Sequence, residues 1–377
     1  MVLRVFGLKE EASYGNLASG LSETSASTID FHRRIGDGGF KLNDDPVTSN
    51  DGSRMVQSAR AGAVKPTGST SGKCDLERIG HYLKAFFDEY RFTGGEEIDD
   101  EDDPWNEHTF NTHEFWGREG QYLTSFHGWA TFDFFEKIIS GLLLDTLKLE
   151  VSSDYMTQSE EWIYQNEKIR DSTSTPPFNQ STYTVREVEG EIPLMFYDIN
   201  LQLNNTVMQN VVFTNFTFEG KNNLNQDGTL GMGSRFPQRQ ASAQKRELNI
   251  SIGSYLAPET LDLIKGAEYG DVQNSPSLCK IFTIPVKVTI KACENNYQQL
   301  DMYFPKCTVA VEYSASESEE IETTFNLVGL GSGDLTAFTE FATSNPLEDE
   351  NDNPIQTDCY CKLINLRPKI GPNAVNA

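Results

Sequence analysis

Several places in the sequence hold residue types that bind ligands or react in other proteins. Gly329, Gly331 and Gly333 form a Gly-Leu-Gly-Ser-Gly-Asp run behind a strand-like stretch. A dinucleotide-binding turn needs a further Gly where Asp334 stands, followed by a βαβ unit, and no such pattern follows. Asp349, Asn351 and Asn353 match the first ligands of a calcium loop. Pro354 occupies the place where the loop's sharp turn requires Gly, so an exposed acidic loop is the better reading. His108 and His113 lie near Glu107 and Glu114, but five-residue spacing in an irregular stretch is a weak metal signal. His81 falls inside a helical pattern and reads as partly buried. No Gly-x-x-x-x-Gly-Lys-Ser/Thr run and no His-Glu-x-x-His run occurs. No Ser or Cys can be assigned a base partner from spacing. The expectation is a protein without catalytic residues, cofactor or metal.

The six cysteines are Cys74, Cys279, Cys293, Cys307, Cys359 and Cys361. They are scattered through a long chain whose start shows no secretory h-region, so reduced thiols are expected. Cys359 and Cys361 stand two apart in a strand-like run and should share a face. Their spacing is too tight for a zinc knuckle.

Charge narrows the function classes. The 377 residues carry 56 Asp and Glu against 31 Lys and Arg, a net charge of −25. Proteins that grip nucleic acid present a basic face, because phosphate contacts supply most of the affinity. An acidic surface is unsuited to that, though it suits a surface past which DNA must slide. On charge alone, plain solubility explains it. No apolar run reaches membrane-spanning length: the best, 138–149, is interrupted by Ser140, Asp145 and Lys148.

The elements that would position any site divide the chain. Residues 1–30 read as an extended arm and 36–73 as loop with one short strand pair. Residues 75–91 place Leu76, Ile79, Leu83, Phe86, Phe87 and Tyr90 at helical spacing, with Asp75 as cap. Residues 94–104 are a dense acidic loop closed by Pro104. Residues 105–130 read as irregular and aromatic. Residues 131–149 read as a second helix with Phe132, Phe135, Ile138, Ile139, Leu142 and Leu143 as its stripe.

Beyond a polar linker at 172–184 the pattern switches to period 2. Met195, Tyr197, Ile199, Leu201 and Leu203 share one face of a strand at 195–203. Val212, Thr214, Phe216 and Phe218 share another at 211–219. Further strands are predicted at 247–252, 281–291, 307–313, 321–328 and 358–366. A short helix is predicted at 257–266, with Pro258 at its start and Gly266 at its end. The fold class is mainly β: an antiparallel β-sandwich or barrel with one to three helices, a long hairpin loop and extended terminal arms.

Two segments resemble the tail tube proteins (major tail proteins) of tailed bacterial and archaeal viruses. One is Lys9-Glu10-Glu11-Ala12-Ser13-Tyr14-Gly15 near the start. The other begins with the strand Val212–Glu219. It continues through Asn222-Asn223-Leu224 and a Gly-rich loop to Gly233-Ser234-Arg235-Phe236-Pro237. Arg239 and Arg246 follow, and then the strand from Glu247 to Ile252. The likeness covers 190–330 well and 1–90 loosely, while 94–130 and 331–377 read as additions.

That resemblance implies a structural virion protein, not an enzyme. Subunits would pair strands edge to edge into hexameric rings, and rings would stack into the conduit for the genome. Its partners would be further copies of itself, other tail proteins (tape measure, terminator, baseplate) and DNA in transient, non-specific passage, with no membrane. The subunit would be made in the host cytoplasm and reside in the virion tail. Candidate contacts between subunits are Lys9, Glu10, Tyr14, Asn222, Asn223, Leu224, Arg235, Phe236, Pro237, Arg239 and Arg246. The domain division is arm 1–30, tube domain 31–330 with an insertion at about 94–130, and a C-terminal arm 331–377. The alternatives are another virion β protein (tube terminator, distal tail or capsid decoration) and a carbohydrate-binding β protein. In the latter, Trp105, Phe110, Phe115, Trp116, Tyr122, Phe126 and Trp129 would stack on sugars.

Overall fold

The computed structural model describes residues 5–16, 30–33, 38–42, 47–49, 58–60, 62–95, 108–117, 120, 122–132, 135–152, 154–171, 194–208, 211–270, 281–292, 297–314, 321–348 and 353–371. The acidic run 96–104, Trp105, Asp349 and Asn351 lie outside them, as do Cys279 and Cys293.

In chain order the elements begin with β1 (Val5–Glu10), β2 (Asp30–Arg33), β3 (Gly39–Lys41), β4 (Val47–Ser49), β5 (Ser58–Arg60), β6 (Thr67–Lys73) and helix α1 (Ile79–Phe86). Then come β7 (Glu89–Thr93), β8 (Asn111–Trp116), β9 (Phe126–Thr131), β10 (Phe135–Val151), β11 (Thr157–Ile163) and β12 (Asn166–Asp171). The second half holds β13 (Ile199–Leu203), β14 (Thr206–Val207), β15 (Phe213–Lys221), β16 (Glu247–Tyr255), helix α2 (Leu261–Tyr269), β17 (Thr283–Lys291), β18 (Gln299–Ser314), β19 (Glu322–Gly329) and β20 (Tyr360–Asn365).

The 17-residue β10 organises the molecule. Its first half pairs with β9 and β12, completing a sheet ordered β2–β1–β9–β10–β12. Its second half pairs with β11 and β15 in a different sheet. The strand changes sheets at a bulge, where the β9 register shifts between Ile139 and Leu142 and Gly141 has φ +67°. A bulge bends a strand, and Gly tolerates the left-handed conformation that this one needs.

The predicted helix at 131–149 is therefore corrected to strand. The middle of β10, residues 138–144, is buried on both faces and nearly all apolar. A run buried on both sides matches a helical stripe as well as a strand. The bulge strengthens the likeness, since it shifts the alternation by one residue.

The second, larger sheet runs β3–β6–β11–β10–β15–β16–β19–β18–β17–β13–β14, every pair antiparallel. A branch leaves the first half of β18 through β20 and β8 to β7. Strands β4 and β5 pair separately. The pairings wrap into a barrel-like body. The mainly antiparallel β fold expected from period-2 patterning is present. The core joins both sheets through Phe6, Phe40, Trp162 and Tyr82, with Phe6 and Phe40 stacked at 5.6 Å.

Helix α1 is buried along its whole length. It is shorter than the expected 75–91: it begins at Ile79 with Arg78 as its N-cap, the Asp75 carboxylate accepts from the Arg78 backbone N–H at 2.9 Å in the turn before it, it stops at Phe86, and Tyr90 belongs to β7. Helix α2 continues past Gly266 to Tyr269. Gly270, left-handed at φ +73°, ends it in place of the predicted Gly266.

Further corrections concern the ends and the middle. Residues 105–130 are not irregular: they contain β8 and β9, both inside sheets. Within 1–30, β1 is a sheet strand between β2 and β9. Within 331–377, β20 lies between β18 and β8 and is not peripheral. Its apolar residues alternate into the core at Cys361 and Leu363. Tyr197 is in a 3-10 turn and exposed, off the predicted strand. A register shift between Phe213 and Asn215 turns Val212 outward, while Phe216 and Phe218 stay in the core.

Candidate functional site

The Lys9–Gly15 segment is built around one buried carboxylate. Glu11 accepts from the backbone N–H of Gly15 at 2.7 Å and of Gly141 at 2.9 Å, and lies 3.2 Å from His127 Nδ1. Gly15 has φ +78°, so the turn needs Gly there. Tyr14 packs over Gly141: a Cβ on Gly141 would fall 2.8 Å from the ring. Burial, with the Glu11 carboxylate nearby, pushes the Tyr14 phenol up. The acid–small–small–aromatic–Gly spacing thus closes a turn over the β10 bulge. Lys9 is buried, and Glu10 makes a 2.6 Å ion pair with Lys84 of α1. Lys84 also donates to the Ile370 carbonyl at 2.9 Å.

The loop between β15 and β16 has a fixed root and an exposed tip. At the root, Asn222 is buried and its side-chain amide donates to the Phe86 and Leu144 carbonyls, each at 3.1 Å. Leu224 N–H donates to the Asp145 carboxylate at 2.7 Å. Asn223 is left-handed (φ +49°) and donates to the Lys245 carbonyl at 2.8 Å. Arg246 bonds Asp358 at 2.7 and 3.0 Å and lies 3.5 Å from Asp88. Burial works against its charge, but Asp358 and then Asp88 hold the guanidinium above its ordinary pKa. These groups border a cleft of about 920 Å³.

Farther along, the loop lies against 62–66. Lys65 pairs with Asp227 at 2.6 Å, and the Arg235 carbonyl accepts from Val64 N–H at 2.8 Å. Pro237 is buried and Phe236 half-buried, whereas Arg235, Arg239 and Met232 are exposed, Met232 completely. Arg239 donates to the Gly228 carbonyl. Of the eleven candidate contact residues, Lys9, Glu10, Asn222 and Arg246 are engaged inside the subunit. Arg235 and Arg239 face outward at the tip.

The other sequence candidates are placed as follows. His113 is buried and neutral in its hydrogen bonding: Tyr90 O–H faces Nδ1 at 3.0 Å and Nε2 faces the Arg367 carbonyl at 3.1 Å. Phe110, Phe115, Phe126 and Trp129 are buried and cannot stack on a sugar; Tyr122 is exposed. Cys359 and Cys361 do share a face, with Sγ atoms 3.6 Å apart, and they are free and buried, as are Cys74 and Cys307.

Sequence reading missed one feature. Among the described residues, no element covers the face of the large sheet turned away from the core across β6, β11, β10, β15, β16, β19 and β18. One row across it reads Ser71, Ser159, Lys148, Glu219, Asn249, Val328 and Thr308. The next reads Lys73, Thr157, Glu150, Thr217, Ser251, Asn326 and Ala310. The side chains are mostly short hydroxyls and amides. Lys148 pairs with Glu150 at 2.5 Å, Lys221 with Glu219 at 2.9 Å, and Lys73 sits over the Tyr155 ring. Glu161, Glu247, Glu312 and Glu322 add negative charge on the same face or its border, with Lys221 beside Glu161 and Glu247 as well as Glu219. The alternation of small polar residues was the available signal, but register could not be set without the pairing.

An antiparallel β body with a buried helix, no described cluster of metal-ligating residues and a broad uncovered polar sheet defines a building block. The chain belongs to the phage tail tube protein family, whose model matches residues 3–292 of 377. The protein is thus a structural component of a phage tail. The matched span includes 94–130 and stops short of 331–377. No curated protein matched the sequence.

Proposed function

We propose that the subunit assembles with itself into hexameric rings that stack into a tail tube, and that the genome passes along the uncovered face of the large sheet. The observation that carries this reading is the chemistry of that face. It is built mostly of short polar side chains, and its lysines are matched by neighbouring groups while carboxylates remain in excess. Such a surface repels phosphates and offers no cation to hold them. The role is non-enzymatic, with no cofactor. Tape measure, terminator and baseplate proteins are the expected partners within the virion tail, after synthesis in the host cytoplasm.

Self-pairing also fits the strand edges. β17 begins at Thr283 opposite Thr308, so Val309–Tyr313 of β18 have β19 on one side and no described strand on the other. An edge without a strand partner favours pairing with another chain, and helix α2 packs against β18 here. Negative-stain microscopy of the purified protein at rising concentration, with sedimentation, tests the reading. Hollow tubes or six-fold rings are expected. A protein that stays monomeric even when seeded with tail initiator complexes overturns it.

A further inference from the structure

Strand β20 opens on two thiols. Cys359 and Cys361 are fully buried, and their Sγ atoms lie 3.6 Å apart, in van der Waals contact. Neither is in a disulfide. Side chains two apart in an extended chain share a face. Their Cα atoms are then separated by about 6.6 Å at strand rise, inside the range that a disulfide spans, up to about 6.8 Å. Closing the bond brings the sulfurs to about 2.05 Å. The ladder does not oppose that movement at Cys359, because Tyr360 is the first residue of β20 paired with β18 and β8. Cys359 stands before it, its N–H donating to the Thr357 hydroxyl at 3.3 Å. The pair also has an entrance: Thr357 and Asp358, just before Cys359, line the cleft of about 920 Å³ at the loop root.

We infer that Cys359 and Cys361 form a redox modification site, a dithiol that closes to a disulfide within the strand by exchange with a small-molecule disulfide of the glutathione class. The Cys359 thiolate attacks one sulfur of the small disulfide, whose S–S bond breaks, and the departing thiolate takes up the proton that Cys359 gave. The Cys361 sulfur, already in contact, then displaces the second small thiol from Cys359. Two protein thiols lose two hydrogens, and one disulfide becomes two thiols. Burial pushes the Cys359 thiol well up, as do the Cys361 thiol and the Asp358 carboxylate, while Arg246 opposes them. Attack is therefore slow, on the order of hours at neutral pH. A metal fits less well, since no group of three ligating residues occurs among the described ones. Thiols persist in a reducing compartment and disulfides in an oxidising one. The pair therefore registers which of the two surrounds the subunit, whatever the subunit assembles into, and the inference stands apart from the tube reading.

Differential labelling tests it. Full-length protein, reduced and freed of reductant, is held with oxidised glutathione, quenched in acid, unfolded and labelled with N-ethylmaleimide. It is then reduced and labelled with a deuterated maleimide. Cleavage before Asp358 and after Lys362 isolates both cysteines on one peptide for mass spectrometry. Two heavy labels on that peptide are expected, and a digest made without the reduction step should show it lighter by two hydrogens. Cys361→Ser should instead retain one glutathione on Cys359, since no second thiol displaces it. The wild-type digest decides alone if that variant does not fold. Two light labels after a day, in protein whose circular dichroism is native, overturn the inference and leave the pair as small core residues. A peptide linked to any other cysteine overturns it equally.

Discussion

At the scale of single residues, buried polar groups do most of the fixing. Glu11 satisfies two backbone N–H groups that have been taken out of water, at Gly15 and Gly141. Unsatisfied buried donors cost free energy comparable to their desolvation. Glu11→Ala is expected to lower stability by about 2–5 kcal/mol, read as a reduced urea midpoint. An unchanged midpoint would mean the turn at 11–15 is not held by the carboxylate. His113 makes a second case. Burial, with His81 and Lys84 as positive neighbours, lowers its pKa from 6.5 to about 4, although its bond to the Arg367 carbonyl opposes the shift. The unfolded chain therefore takes up this proton near pH 6.5, and the folded chain takes it up only near pH 4. Stability held above pH 6.5 is lost progressively as pH falls to about 4, by up to about 3 kcal/mol from this group. Urea titrations of wild type and His113→Gln across that window should differ by this acid limb. Parallel curves would exclude His113 as its source.

At the scale of elements, the loop separates into a part that holds the subunit together and a part that does not. Asn222, Leu224 and Arg246 tie its root to α1, β10 and the 358 region. Residues 225–240 lie mostly outside, against 62–66. Replacing 225–240 with a short Gly-Ser linker is expected to leave a folded subunit with wild-type circular dichroism that forms no tubes by negative stain. Tubes from that variant would remove the tip from assembly.

Element by element, legibility followed burial. Strands β15, β16, β17 and β19 and the second half of β18 could be read because one face of each is polar and alternation shows. β10 could not, because its middle, 138–144, is buried on both faces and its bulge breaks the period. β8 and β9 could not either: their partners β20 and β1 lie far along the chain, and aromatic clustering carries no register. The family-like segments were found by spacing, but their roles were not. Glu10 and Asn222 look like surface polar residues in sequence, and only the fold shows the inward partners Lys84, Phe86 and Leu144.

For the whole molecule, net charge acquires a location. An excess of 25 negative charges could have meant solubility alone. The polar face of the large sheet holds part of that excess, and its lysines are matched. Glu161→Lys and Glu247→Lys together are expected to leave assembly intact and make tubes retain DNA at low salt. Release should follow as ionic strength rises, because counterion-driven phosphate binding weakens steeply with salt. Co-sedimentation of short duplex DNA with wild-type and variant tubes reads this directly. Equal retention by both would place the genome's path on another face.

The strand that serves two sheets also constrains how this gene can change. In β10 the side chains of Phe135–Leu142 answer to one sheet and those of Leu143–Val151 to the other, and Gly141 sets the phase between them. A single inserted or deleted codon on one side of Gly141 would turn that half's core residues to the wrong face while leaving the other half in register. Surface loops that make no assembly contact can change length far more readily. β10 can accept substitutions of similar bulk but no change in its count of residues, so its length should be the most slowly drifting number in the lineage.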